Sequence, residues 1–186
     1  MNKYFLPGKD IKIVFYSAGF IIIISLWMIL RSNELSDFNL LMSGLLIMFG
    51  YAATVFDINT KKIPNLLILS MFAGWLLLTL PVLFTDPQNG VRVLTESGAG
   101  FLTGGGLFLL VYFISSKNLG GGDVKFMAVA GLYLGLSGTV STILYGTVIA
   151  ALTGLILIVI KKIGRKDSIP LAPFLFLGVL ITFFTS

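Results

Sequence analysis

From Phe126 to Ile160 the chain runs thirty-five residues without a charge. A single helix of that length would reach about 50 Å at 1.5 Å per residue, too far for one crossing of a hydrocarbon layer about 30 Å thick. The stretch has to be divided, and Gly135-Leu136-Ser137-Gly138 offers a tight reversal between a short fifth span and a sixth. Similar apolar runs recur along the sequence. With 56% hydrophobic residues, 11% charged residues and a mean hydropathy of +1.00, the chain reads as an integral membrane protein rather than a soluble domain. The expected fold is an all-α polytopic bundle of about seven transmembrane helices.

The first span is Ile11–Leu30, twenty residues with one charge near the edge, long enough to cross. A cleaved signal peptide would have a shorter apolar region ending in small residues, whereas this run ends Trp27-Met28-Ile29-Leu30-Arg31. After a polar turn to Asp37, span two is Phe38–Phe56. A polar link, Asp57–Asn65, leads to span three at Leu66–Phe84. Pro87, Asn89 and Gly90 mark Thr85–Glu96 as a loop. Span four, Ser97–Ser115, carries Gly100 and Gly104 four residues apart, spacing that lets helix backbones approach closely. A basic loop from Lys161 to Asp167 precedes a last, brief span at Leu171–Phe184, whose early prolines also suit a re-entrant segment.

Charge sets the orientation. With a cytoplasmic amino terminus and seven spans, eleven of the thirteen basic residues fall inside and only Arg31 and Arg92 fall outside. The acids divide four and four, as expected of a rule that counts Lys and Arg alone. The net charge of +5 thus encodes topology. There is no basic stripe interleaved with exposed aromatics, and nucleic acid is not an expected partner.

Cysteine and histidine are absent, which excludes disulfides, thiolate nucleophiles, Ser-His dyads and Cys/His metal sites. No metal or cofactor is expected. Two acids stand at the boundary of apolar runs on the cytoplasmic side: Asp57, leaving span two, and Asp123, entering span five after Gly120-Gly121-Gly122. Carboxylates cost about 2.5–3.5 kcal/mol at the centre of a membrane helix on insertion scales, so acids held near lipid point to function. Two of them at close range share a proton, and one can then activate water while the other polarises a carbonyl. Taken singly, Asp123 also suits a helix N-cap, and Asp57 a solvated turn beside Lys61 and Lys62. The glycines would let backbone or substrate approach Asp123.

Gly120-Gly121-Gly122-Asp123 resembles the G-x-G-D signature of membrane aspartyl proteases. Asp57-Ile58-Asn59-Thr60-Lys61-Lys62-Ile63-Pro64-Asn65 resembles the other half of the type IV prepilin peptidase pattern, Lys125 matches two residues after the second Asp, and Ile169–Leu175 is similar to the closing motif with its two prolines. The resemblance covers roughly Phe38 to Ser186. It implies a six-helix peptidase core over 38–186, with 1–37 an added span and loop. It also implies a peptidase that removes a short basic leader from prepilin-like membrane proteins, usually after a glycine, at the cytoplasmic face of the plasma membrane. Asp57 and Asp123 carry over as the catalytic pair; Gly120, Gly122, Lys125, Lys62, Pro64 and Asn65 carry over as supporting motif positions. Long family members also bear a cysteine-containing domain and methylate the new amino terminus, so this cysteine-free chain is expected to be a short form without methyltransferase activity. Presenilin-like proteases share G-x-G-D, but Asp57 stands at a span end beside Ile63-Pro64-Asn65 rather than in mid-span.

Two other readings stay open from sequence. A small ion- or proton-coupled transporter would use paired acids, with inverted repeats and acids at mid-span. An assembly subunit would use the glycines for packing alone.

Overall fold

The computed structural model describes residues 19–28, 31, 36–115, 119–162, 164 and 169–185. These form helices α1 (Gly19–Met28), α2 (Asp37–Thr60), α3 (Asn65–Thr85), α4 (Pro87–Ile114), α5 (Gly121–Val159) and α6 (Ala172–Thr185), with no strand among the described residues. Helices α2 to α5 are each long and apolar enough to cross a membrane, and α1 and α6 are shorter apolar helices. The fold is an all-α bundle. Residues 11–18, 29 and 30 of the first expected span lie outside the described residues, as do Lys3, Lys9, Asp10, Lys12, Lys117, Arg165, Lys166 and Asp167 of the charge argument.

The expected division of the long uncharged stretch is present. Gly135 has φ 65° and ψ −174°, a conformation essentially confined to glycine, and it separates α5a (121–134) from α5b (136–159). The two halves fold back on one another. A Cβ at Gly104 would strike Met127 O and lie 3.2 Å from Thr139 Cγ2. Twelve residues of straight helix would hold those two positions about 18 Å apart. Interrupting a helix strands its last carbonyls, and here side chains meet one of them. Ser97 Oγ donates to Leu132 O at 2.6 Å and accepts from Trp75 Nε1 at 3.2 Å.

Helix α5a is the centre of the bundle. Every residue from Phe126 to Leu132 is buried, as expected of a helix that is apolar all round. Around it lie Leu46 and Ala53 of α2, Met71 and Trp75 of α3, Phe108 of α4, and Leu175 and Val179 of α6. Its closest neighbour is α4, because glycines line the seam: a Cβ at Gly100 would collide with Gly131 O, and one at Gly131 with Gly100 O. The outer surface reverses the habit of a soluble protein, with Leu66, Phe84, Leu102 and Ile114 each more than 70% exposed.

Two boundaries differ from the sequence reading. Residues 87–96 are helix, not loop, so the polar connection between α3 and α4 shrinks to Asp86. That residue closes α3 through its N–H to Val82 O (2.9 Å) and caps α4 by accepting from Asn89 N at 3.2 Å. Pro87 sits in the first turn, where its missing N–H costs nothing. Gly90 is there for closeness, since a Cβ would come within 2.6 Å of Leu83 Cα. The second difference concerns Asp57. Helix α2 continues to Thr60, so this acid belongs to its last turn rather than to a polar link.

Candidate active site

Helix α2 ends at Lys61, a non-glycine residue in the left-handed region (φ 52°, ψ 31°) whose N–H donates to Asp57 O at 2.8 Å. Ile63 then precedes a proline, which favours extended backbone, and Pro64 (φ −63°, ψ 138°) opens α3 at Asn65. This short link lies against the start of α5a. Gly122 has no side chain, and a Cβ there would sit 3.2 Å from Ile63 Cβ. The glycine run thus brings the first turn of α5a onto the link that follows Asp57.

The result is a pocket of about 360 Å³ lined by Asp57, Lys61, Lys62, Ile63, Gly120, Gly121, Gly122 and Asp123. Both carboxyls are nearly enclosed, Asp57 at 5% exposure and Asp123 at 8%, and they lie near enough to interact electrostatically. Asp57 stands in the last turn of α2, where that helix offers carbonyls rather than free amides. Its donor comes from 115 residues away: Ala172 N, the first amide of α6, donates to Asp57 Oδ2 at 2.9 Å. Asp123 lies in the first turn of α5a with Oδ2 turned toward Gly120, at whose Cβ position it would come within 2.7 Å. Its Oδ1 is buried and has no hydrogen-bond partner among the described residues. Two carboxyls with this exposure, sharing one cavity, can hold a water and exchange protons with it. No group of three or more His, Cys, Asp or Glu side chains that could hold a metal ion occurs among the described residues.

The positions singled out from sequence gather here. Asp57, Lys62, Gly120, Gly122 and Asp123 line the pocket, while Pro64 and Asn65 start α3 beside it. Lys125 Nζ donates to Asn65 Oδ1 at 2.9 Å, tying the first turn of α5a to the first residue of α3 across sixty residues of sequence. This contact is exposed, so we expect Asn65→Ala and Lys125→Ala to cost about 1 kcal/mol each, and the double variant to cost little more than either single one. Thermal unfolding of the four proteins in detergent gives the coupling; strictly additive losses would mean that the bond contributes nothing. The sequence reading assigns no role to two participants. Ile63 enters it only as a motif position between Lys62 and Pro64, an apolar side chain with no chemistry to advertise it. The Ala172 amide is backbone, and its only signal is Pro170-Leu171-Ala172-Pro173 at a helix start.

Known proteins share this region. A sequence model described as the type IV leader peptidase family matches residues 44–159. The Prepilin leader peptidase/N-methyltransferase of Bacillus subtilis (strain 168) is 25% identical over 129 residues, which cover 69% of this chain and 49% of that protein. The chain therefore spans about half the length of the curated relative it matches. No solved structure matches.

Proposed function

This chain belongs to the type IV leader peptidase family, and with that as premise we propose that it is a membrane aspartyl endopeptidase with Asp57 and Asp123 as its catalytic pair. Its substrates are prepilin-like membrane proteins, cut between a short basic leader and the apolar segment that follows. The observation that carries the reading is the meeting of two nearly buried carboxyls, sixty-six residues apart in sequence, in one pocket. The family's name supplies the leader-peptidase activity, and the name of the Bacillus subtilis relative supplies the prepilin class.

The chemistry follows from that meeting. It needs one carboxyl charged and its partner protonated, a division of labour open to two acids that share one pocket. A water between them gives a proton to the charged carboxyl as its oxygen bonds to the scissile carbonyl carbon, and the protonated partner delivers its proton to the carbonyl oxygen. The resulting gem-diol collapses. One hydroxyl proton returns to the partner, the proton on the first carboxyl passes to the amide nitrogen, and the C–N bond breaks. Both carboxyls end in the protonation states in which they began, and the water's proton leaves on the new amine.

Helix direction supports a cytoplasmic site. The carboxyl end of α2 and the amino ends of α3, α5a and α6 meet at the pocket. Because α5 reverses at Gly135, Lys161 and Lys162 at the end of α5b return to the same side as Lys61, Lys62 and Lys125. Arg31 and Arg92 belong to the other side, and the lysine-rich end faces the cytoplasm. The six-helix peptidase core takes in 38–186, with the preceding segment an added span. Acids at helix ends rather than at mid-span favour the peptidase over the transporter.

The test is direct. The protein in lipid vesicles should cut a synthetic peptide composed of a basic leader, a glycine and an apolar helix, once and after the glycine, as read by mass spectrometry. A peptide left intact, under conditions where a control prepilin peptidase cleaves it, would overturn the reading.

A further inference from the structure

Resting on the peptidase reading above, we infer that the amino-terminal turn of α6 is a positioning element of the catalytic pair: the Ala172 N–H holds one oxygen of Asp57 and thereby aims the other at the water.

Each of the two helix ends lacks what the other supplies. Asp57 is in the final turn of α2, where the backbone offers carbonyls and the helix dipole is negative. A carboxylate left there alone would be poorly placed, so its donor must come from another element. Helix α6 has the complementary need, because its first amides have no partner within the helix. The sequence narrows these amides to one. Pro170 and Pro173 have no N–H, and Phe174 N and Leu175 N already donate to Leu171 O at 3.0 and 3.2 Å. Leu171 has no side-chain acceptor to serve as a cap. The buried Ala172 N–H remains, and Asp57 Oδ2 accepts it.

The depth of α6 is fixed well enough for this contact to act as a stop. A Cβ at Gly50 of α2 would lie 2.7 Å from Phe176 Cδ2, and one at Gly146 of α5b would lie 3.0 Å from Phe174 O and 3.1 Å from Leu175 Cα. Farther along, Thr142 and Thr182 share a hydrogen bond of 3.0 Å. Packing on two helices and a polar contact farther along α6 therefore set where the Ala172 amide stands, independently of Asp57. With Oδ2 engaged, Asp57 has Oδ1 left for the pocket it lines together with Asp123, whose own Oδ1 has no partner among the described residues.

The experiment replaces the amide at 172 by an ester, using in vitro suppression with the hydroxy-acid analogue of alanine, which removes the donor and leaves the side chain. The control is the protein made by the same route with alanine. With the prepilin-like peptide, kcat should fall about 10- to 100-fold while KM stays within about twofold, the pattern of a reacting group mis-aimed rather than a substrate lost. The infrared carboxylate band of Asp57, isolated as the difference between the control and Asp57→Asn, should move in the ester protein. Ala172→Pro lacks the same N–H at a helix position that tolerates proline, and it should reproduce both effects. An ester protein with the control kcat, or with an unmoved Asp57 band, overturns the inference. A control protein that cuts nothing overturns the peptidase reading instead, and the two failures are separable because the infrared measurement needs no substrate.

Discussion

Asp57→Asn and Asp123→Asn should each reduce cleavage of a prepilin-like peptide by about a thousandfold or more, and the double variant should be no worse than either alone. General acid–base groups contribute typically about 10²–10⁴-fold, and members of one catalytic unit are strongly non-additive. Asparagine keeps the shape but can neither accept the water proton nor deliver one to the carbonyl oxygen. The fold should not suffer. In Asp57→Asn the side-chain amide retains an oxygen that can accept from the Ala172 N–H, so the α2–α6 contact survives. Asp123→Asn removes a carboxyl from a site only 8% exposed, where an ionised group is costly to hold. The melting temperature in detergent should therefore stay level or rise while activity disappears, a pairing that a merely structural role would not give. Cleavage by either single variant within tenfold of the unmodified protein would end the assignment of that residue.

The second large effect is structural and comes with a control in the same helix. Gly100→Leu should abolish recovery of folded, monodisperse protein, whereas Gly106→Leu should change stability by no more than about 0.5 kcal/mol. Both glycines lie in α4. At Gly100 even a Cβ would strike Gly131 O and come within 2.8 Å of Gly135 C and O, whereas at Gly106 nothing lies within 4 Å. Overpacking usually costs about 1–3 kcal/mol when side chains can shift. Backbone atoms of α5a cannot shift without moving the whole helix, which carries Asp123 at its start and the core of the bundle along its length. Size-exclusion chromatography and thermal unfolding in detergent decide the matter. Equal behaviour of the two variants would mean that α4 does not rest on α5a at Gly100.

Much of this is legible in the sequence because lipid imposes blunt requirements. Charge-free runs have to cross, and a thirty-five-residue run cannot do so as one straight helix, so the break at Gly135 can be read from length and glycine together. The meeting of Asp57 and Asp123 is foreshadowed by their places at span ends. What the sequence conceals has particular causes. Pro87 and Gly90 look like turn residues, yet one occupies a first helical turn and the other makes room for Leu83, so a loop is expected where α4 already runs. The extension of α2 through Thr60 rests on the left-handed Lys61, an unusual conformation for a lysine. The Asn65–Lys125 contact joins two motif positions whose geometry no local pattern reveals. The Ala172 donor is a backbone N–H, which every residue but proline carries, so residue identity alone does not single it out.

The joint at Asp86 has a practical corollary. One residue ends α3 and begins α4 with its amide and its carboxylate respectively, which leaves no slack between the two helices. An epitope tag or fluorescent reporter spliced in at that position would cut both bonds and pull Leu83 away from Gly90. Labelling schemes that need an insertion at this tip of the bundle should leave the α3–α4 hairpin whole.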